Sequence, residues 1–143
     1  MEDQSKPRIL VVEDEKFMRQ VICDMLESLG YKRPVGAEDG EAGLEALTEP
    51  GSPFGLVICD IKMPKVTGID FVWRVRTNLP RPYKEVPILI LTGYAEKKSM
   101  EEFVELGIHG FLVKPVSRET LKKQVERALT SPPIDPAAIR KSK

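Results

Sequence analysis

The stretch Arg8-Ile-Leu-Val-Val-Glu13 is an uninterrupted apolar run that ends in an acid, and Gly55-Leu-Val-Ile-Cys-Asp60 repeats this pattern. Such runs are typical of strands buried on both faces, as in a parallel sheet covered by helices. Residues 86–92 and 109–114 form two further runs of this kind, and residues 31–36 form a weaker one. The sequence therefore predicts five strands.

Amphipathic stretches with helical spacing alternate with these strands. The first covers residues 16–29 and is followed by Gly30, a residue suited to the left-handed position after a helix. The last begins after Ser117, the predicted N-cap. Strict strand–helix alternation predicts an α/β fold, a five-stranded parallel sheet doubly wound by helices in a (βα)5 order.

Length and composition limit the class of protein. The 143 residues suit one domain, and 22 basic against 22 acidic residues give zero net charge, which disfavours a direct nucleic-acid binder. Two cysteines without CxxC spacing indicate reduced thiols in a cytoplasmic protein, and the short apolar runs predict neither a signal peptide nor a membrane span. We divide the chain into an N-terminal extension (1–7), one domain (8–130) and a flexible, proline-rich tail (131–143).

Polar residues stand at the carboxyl ends of four predicted strands, where open parallel sheets bind ligands. They are Glu13 with Asp14, Asp60, Thr92 and Lys114. Any single acid after a strand is more often a helix cap, but clustered carboxylates need a cation, for which Mg²⁺ is the first choice and Mn²⁺ the second. A carboxylate beside such an ion can attack phosphorus, while an ammonium and a hydroxyl hold the other phosphoryl oxygens.

Four short motifs, in this order, resemble the receiver domain of bacterial two-component response regulators. They are Leu10-Val-Val-Glu-Asp14, Asp60-Ile-Lys-Met-Pro64 with Gly68, Leu91-Thr-Gly93, and Val113-Lys-Pro115. The resemblance extends from about residue 8 to residue 129 and implies the flavodoxin-like, CheY-like three-layer sandwich of that family.

The resemblance also implies which residues carry the chemistry. Asp60 would accept a phosphoryl group from a phosphohistidine on a sensor histidine kinase or a histidine phosphotransfer protein. Asp14 would bind Mg²⁺ directly, Glu13 mainly through water, and the backbone carbonyl of Lys62 would be the third protein ligand. Glu13 departs modestly from the aspartate that is commoner at this position.

A second set of implied roles concerns the switch. Lys114 would pair with the phosphoryl oxygens, placed by a cis Lys114–Pro115 peptide bond, and Thr92 would move to hydrogen-bond the phosphoryl group. Phe111 on the fifth strand would then turn inward and change the face formed by helix four, strand five and helix five. An ordinary core position for Phe111 is an equally good interpretation of its apolar neighbours.

Two positions border the expected path of the hydrolytic water. By analogy with the family, Lys62 and Tyr94 would restrict in-line attack and prolong the phosphorylated state. The alternative, that both are merely solvated surface residues, is at least as well supported.

The resulting hypothesis is a stand-alone, single-domain response regulator that acts through a downstream protein target, as a monomer or weak homodimer, and is not an enzyme. A receiver fragment of a larger regulator with a DNA-binding or enzymatic output domain is the first alternative, and a phosphorylation-independent adaptor the second. An aspartyl-phosphate phosphatase would need an acid where Lys62 stands, and a nucleotide-binding loop would be opposed by Glu13-Asp-Glu15.

Overall fold

The computed structural model describes residues 6–51, 53–93 and 97–141, and it confirms the predicted fold class. Five parallel strands form one sheet in the order β2-β1-β3-β4-β5. The strands are β1 (Arg8–Val12), β2 (Val35–Ala37), β3 (Phe54–Asp60), β4 (Ile88–Thr92) and β5 (Gly110–Val113). The helices are α1 (Lys16–Ser28), α2 (Gly40–Thr48), α3 (Gly68–Asn78), α4 (Lys97–Glu105), α5 (Arg118–Thr130) and α6 (Pro136–Lys141), with a 3-10 turn at Tyr83–Glu85.

The sheet separates two apolar clusters, which is why its strands lack polar alternation. In β1, Leu10 and Val12 face the cluster covered by α2, α3 and α4. Ile9 and Val11 face the cluster covered by α1 and α5. Among the described helices, none is both long and apolar enough to cross a membrane.

The strand register brings the polar strand ends to the same level. Val12 pairs with Cys59, so that the next residues along the two strands, Glu13 and Asp60, are neighbours. Thr92 pairs with Val113, which places Lys114 one residue beyond the end of β5. Parallel pairing alone therefore gathers the predicted side chains at the carboxyl edge of the sheet.

The helix ends follow the expected capping chemistry. Ser117 accepts a hydrogen bond from Thr120 N–H at 3.1 Å and begins α5, as the sequence predicts. Gly30 has a φ of 99°, in the left-handed region. Strand β2 is shorter than expected, because Tyr31 N–H bonds to Leu26 O at 3.2 Å and thus belongs to the end of α1.

The C-terminal segment, predicted to be a flexible tail (131–143), contacts the rest of the domain over its described part. Ile134 N–H donates to Ile108 O at 3.0 Å, and the Ile134 side chain packs against the α2–α3–α4 cluster. Asp135 accepts a hydrogen bond from Ala137 N–H at 2.9 Å, while Pro136 takes a first-turn position where its missing N–H is no disadvantage. The resulting helix α6 contacts α4.

Candidate functional site

Three strand ends place two carboxylates around one ammonium. Lys114 Nζ lies 3.0 Å from Glu13 Oε1 and 3.4 Å from Asp60 Oδ1. The Glu13 side chain is fully buried, Asp60 is buried, and about a quarter of the Lys114 side chain, 24%, is exposed. The site is therefore a partly enclosed charge cluster that solvent reaches from the lysine side.

The surroundings of Glu13 shift its pKa strongly. Burial first, and then the adjacent Asp60 carboxyl, raise the pKa of Glu13 from 4.5 to about 7, although Lys114 opposes this shift. One oxygen, Oε2, accepts a hydrogen bond from Glu15 N–H at 3.4 Å. The other, Oε1, is buried and is paired with the Lys114 ammonium at 3.0 Å. Because burial and the second carboxyl disfavour the ionised form of Glu13, a bound cation would stabilise that form.

Asp14 completes a set of three oxygen donors. One carboxylate oxygen from each of Glu13, Asp14 and Asp60 lies within 4.8 Å of the others. Hard divalent cations prefer such oxygen ligands, and Mg²⁺ is commonly held by one or two carboxylates with several waters. This set of three clustered carboxylate oxygens fits a divalent cation of this class.

Lys114 is held in its charged form by the same cluster. Burial lowers the pKa of Lys114, but the Glu13 and Asp60 carboxylates outweigh this effect and the net pKa is raised. The peptide bond between Lys114 and Pro115 is cis.

A cavity of about 200 Å³ opens beside Asp60 and is large enough for a phosphoryl group. Its polar lining comprises Asp60, Lys62, Thr92, Ser99 and Lys114. Thr92 is buried and Lys62 is exposed. Of the residues predicted from the sequence, Tyr94 lies outside the described residues.

The loop after β3 lies tightly against Asp60 at the end of that strand. Gly68 N–H donates to Ile61 O at 2.9 Å, and Thr67 caps α3 by accepting a hydrogen bond from Asp70 N–H at 3.3 Å. A Cβ atom at Gly68 would collide with Asp60 O and lie 2.8 Å from Ile61 Cα. Glycine is therefore required here by the close approach of α3 to the end of β3.

Phe111 is a half-buried residue of β5 that contacts α4. Its ring meets the buried Phe103 of α4 edge to face, with ring centroids 6.5 Å apart and an interplanar angle of 80°. Movement of Phe111 would therefore change its packing against Phe103 and α4.

Sequence reasoning missed Arg19, which contacts the site through the backbone. Arg19 Nη1 donates to the carbonyl oxygen of Glu13 at 2.7 Å. A contact between a side chain and a main-chain carbonyl leaves no residue-type signature at the acceptor, so no spacing rule would have identified it.

Comparisons with known proteins give consistent matches. The family described as response regulator receiver domain matches residues 9–126. The chain is 37% identical over 121 residues to the probable chemotaxis protein CheY of Rhizobium etli, covering 85% of this chain and 91% of that protein. It is 32% identical over 120 residues to the chemotaxis protein CheY of Pseudomonas aeruginosa, covering 84% and 94%.

Solved structures show the same similarity in three dimensions. The crystal structure of Vibrio cholerae chemotaxis protein CheY4 from a low-pH condition superimposes with a TM-score of 0.79 at 34% identity. That match covers 87% of this chain and 100% of the other.

Proposed function

Because the chain belongs to the response regulator receiver domain family, we propose that it is a phosphorylation-dependent signalling switch whose phosphoacceptor is Asp60. Receiver domains are CheY-like signalling domains of two-component systems rather than classical enzymes. The observation that carries the proposal is the Lys114 ammonium, 3.4 Å from Asp60 and 3.0 Å from Glu13, at an edge with three carboxylates.

Asp60 acts as the nucleophile in this proposal. One of its carboxylate oxygens attacks the phosphorus of a phosphohistidine, the P–N bond breaks, and the imidazole leaves with the bonding electron pair and takes up a proton. Lys114 balances charge on the phosphoryl oxygens, and Thr92 donates a hydrogen bond to one of them. Glu13, Asp14, Asp60 and the Lys62 backbone carbonyl would hold Mg²⁺, or Mn²⁺ in its place. When bound, the ion supplies positive charge to the phosphoryl oxygens.

The signal passes from the site to a protein partner. Engagement of Thr92 by the phosphoryl group would draw it inward, and Phe111 would follow into the vacated space. Because Phe111 contacts Phe103 of α4, this rearrangement would alter the face formed by α4, β5 and α5. Lys62 lines the cavity beside Asp60, which supports its proposed influence, together with Tyr94, on access of hydrolytic water.

The partners follow from this chemistry. The donor would be a sensor histidine kinase or histidine phosphotransfer protein, and the output a downstream protein in the cytoplasm, contacted by a monomer or weak homodimer without direct nucleic-acid binding. The single-domain form is supported by the two chemotaxis relatives, of which the chain covers 91% and 94%. The receiver fragment of a larger regulator and the phosphorylation-independent adaptor are the alternatives that experiment must separate.

The deciding experiment measures phosphoryl transfer to the full chain. The protein is incubated with Mg²⁺ and phosphoramidate, a small donor with a P–N bond, and intact mass is recorded. We expect an acid-labile gain of one phosphoryl group in the wild type and in Asp70→Asn, an exposed aspartate of α3. The gain should disappear in Asp60→Asn and in chelator. An unmodified wild type that still binds its partner would favour the adaptor.

A further inference from the structure

The carbonyl of Glu13 is held by a side chain from the next helix. β1 ends at Val12, and Glu13 N–H still donates to Ala37 O at 3.0 Å, which continues the pairing with β2. On the other side of the residue, Arg19 Nη1 donates to Glu13 O at 2.7 Å. This is a short hydrogen bond from a charged donor, a class about twice as strong as a neutral one.

Strand β2 makes room for the Arg19 side chain. A Cβ atom at Gly36 would lie 3.1 Å from Arg19 Cδ and 3.3 Å from Nε, closer than ordinary van der Waals contact. Gly36 pairs with Val11 within the sheet and does not have a positive φ, so its backbone conformation does not require glycine. The absence of a side chain at this position therefore serves the path of the Arg19 stem.

The carbonyl that Arg19 holds belongs to the peptide unit joining Glu13 and Asp14. Because a peptide unit is planar, fixing its oxygen fixes the plane that contains the Cα atoms of both residues. The side chains of Glu13 and Asp14 extend from these Cα atoms, and their carboxylates form the donor set together with that of Asp60. The hydrogen bond thus reaches both acids through the backbone.

We propose that Arg19 is a positioning residue that sets the divalent-cation affinity of the site by orienting the Glu13–Asp14 peptide. Gly36, which has no side chain, leaves the space that the Arg19 stem occupies. This inference rests on the proposed function, since it takes the acidic cluster to be a cation site. Arg19 touches the acids only through the main chain, so it acts on where their oxygens stand. Residues that orient metal ligands in this way typically contribute 10–100-fold to affinity.

The test is calorimetric titration of the full-length protein with Mg²⁺ alone, together with melting temperatures in chelator. We expect Arg19→Ala to weaken Mg²⁺ binding about 10-fold, and Arg19→Lys, which keeps a cation and one donor, to weaken it less. Phosphorylation of Arg19→Ala should return to the wild-type level at saturating Mg²⁺, because Asp60 and Lys114 are unchanged.

Gly36→Ala provides an independent second variant, because it displaces Arg19 without removing any polar group. It should weaken Mg²⁺ binding in the wild-type background and have no added effect in Arg19→Ala, where the obstructed stem is gone. This variant also carries the test should Arg19→Ala fold poorly.

The inference is overturned if Arg19→Ala, or Gly36→Ala, binds Mg²⁺ with wild-type affinity, even where its melting temperature in chelator falls. Phosphorylation that stays impaired at saturating Mg²⁺ would also overturn it. Failure of the proposed function looks different, since the wild type itself would then bind no Mg²⁺ and gain no phosphoryl group.

Discussion

Each edge of the sheet holds a partly buried cation, but the two cations have different partners. At the carboxyl edge, Lys114 faces the carboxylates of Glu13 and Asp60. At the amino edge, Arg76 donates to the backbone carbonyls of Gly107 and Lys84, each at 2.8 Å. Burial lowers the pKa of Arg76 to about 10 there, with Glu85 opposing the shift.

The comparison separates a charged group that supports the fold, Arg76, from the charged groups around Lys114, which can respond to a bound ligand. Neutral carbonyl dipoles satisfy the Arg76 fork, and the charge balance of that edge does not change when an ion or phosphoryl group arrives. At the other edge, three carboxyl groups gather near one ammonium, so that acidic groups outnumber basic ones there. Excess like charge at a solvent-connected cavity makes this edge sensitive to added ligands.

The sharpest test replaces the two cations in parallel. Lys114→Met should lower the initial rate of Asp60 phosphorylation by about 100-fold, because a preorganised donor to the developing phosphoryl charge is lost. Arg76→Met should leave the rate of the folded protein unchanged while lowering the free energy of unfolding by about 1–3 kcal/mol, since two partly buried carbonyls lose their donor. Mass spectrometry gives the rates and urea unfolding the stabilities. A comparable rate loss in both variants would remove the distinction between the edges.

The two edges should also respond to pH in opposite directions. Burial first, and then the positive charge of Arg76, lower the pKa of His109 from 6.5 to about 4. Between pH 4 and 6.5 the unfolded chain therefore binds more protons than the folded chain. The contribution of His109 to the free energy of unfolding is thus lost as pH falls. The pKa of Glu13 is raised from 4.5 to about 7, so the folded chain binds more protons than the unfolded chain between these pH values. The contribution of Glu13 to the free energy of unfolding is therefore lost as pH rises. Each contribution is worth up to about 3 kcal/mol.

Two neutral variants separate these opposing slopes in chelator-containing buffer. His109→Asn keeps an acceptor for the Ile88 N–H that donates to His109 Nδ1 at 3.3 Å. Its stability should fall steadily between pH 4.5 and 7, the window of Glu13. Glu13→Gln should instead become more stable between pH 4 and 6.5, the window of His109. Urea unfolding at several pH values measures both, and parallel curves for the two variants would contradict the assignment.

The site residues could be predicted because they depend on topology. Parallel strands bring Glu13, Asp60 and Lys114 to one edge whatever the details of side-chain packing. Arg19 could not be found in this way, since its partner is a carbonyl that every residue possesses. The packing of Ile134 was missed for another reason: proline-rich composition favours a flexible tail and gives no sign that one apolar side chain packs on the core cluster.

Substitution of two glycines tests how closely the backbone of α3 approaches the end of β3 at the carboxyl edge of the sheet. Gly68→Ala should lower the free energy of unfolding by about 1–3 kcal/mol, because the added methyl group meets Asp60 O and Ile61 Cα. It should also slow phosphorylation, since the displaced atoms belong to Asp60, the proposed phosphoacceptor, and its neighbour Ile61. Gly93→Ala is the matched control at the same edge, where an added Cβ has no neighbour within 4 Å among the described residues. Equal unfolding midpoints in urea for the two variants would contradict this close approach.

The smallest expected effect concerns the amino edge, where the C-terminal segment is anchored. Ile134→Ala should lower the free energy of unfolding by about 1 kcal/mol, because its half-buried side chain packs on the core cluster. Hydrogen exchange at the Ile134 amide, bonded to Ile108 O at 3.0 Å, should accelerate. The control is Pro133→Ala, an exposed neighbour whose substitution leaves this contact in place. Because Ile108 lies at the end of the sheet opposite Asp60, the phosphorylation rate should stay at the wild-type value. A reduced rate would mean that the anchored segment couples the two edges.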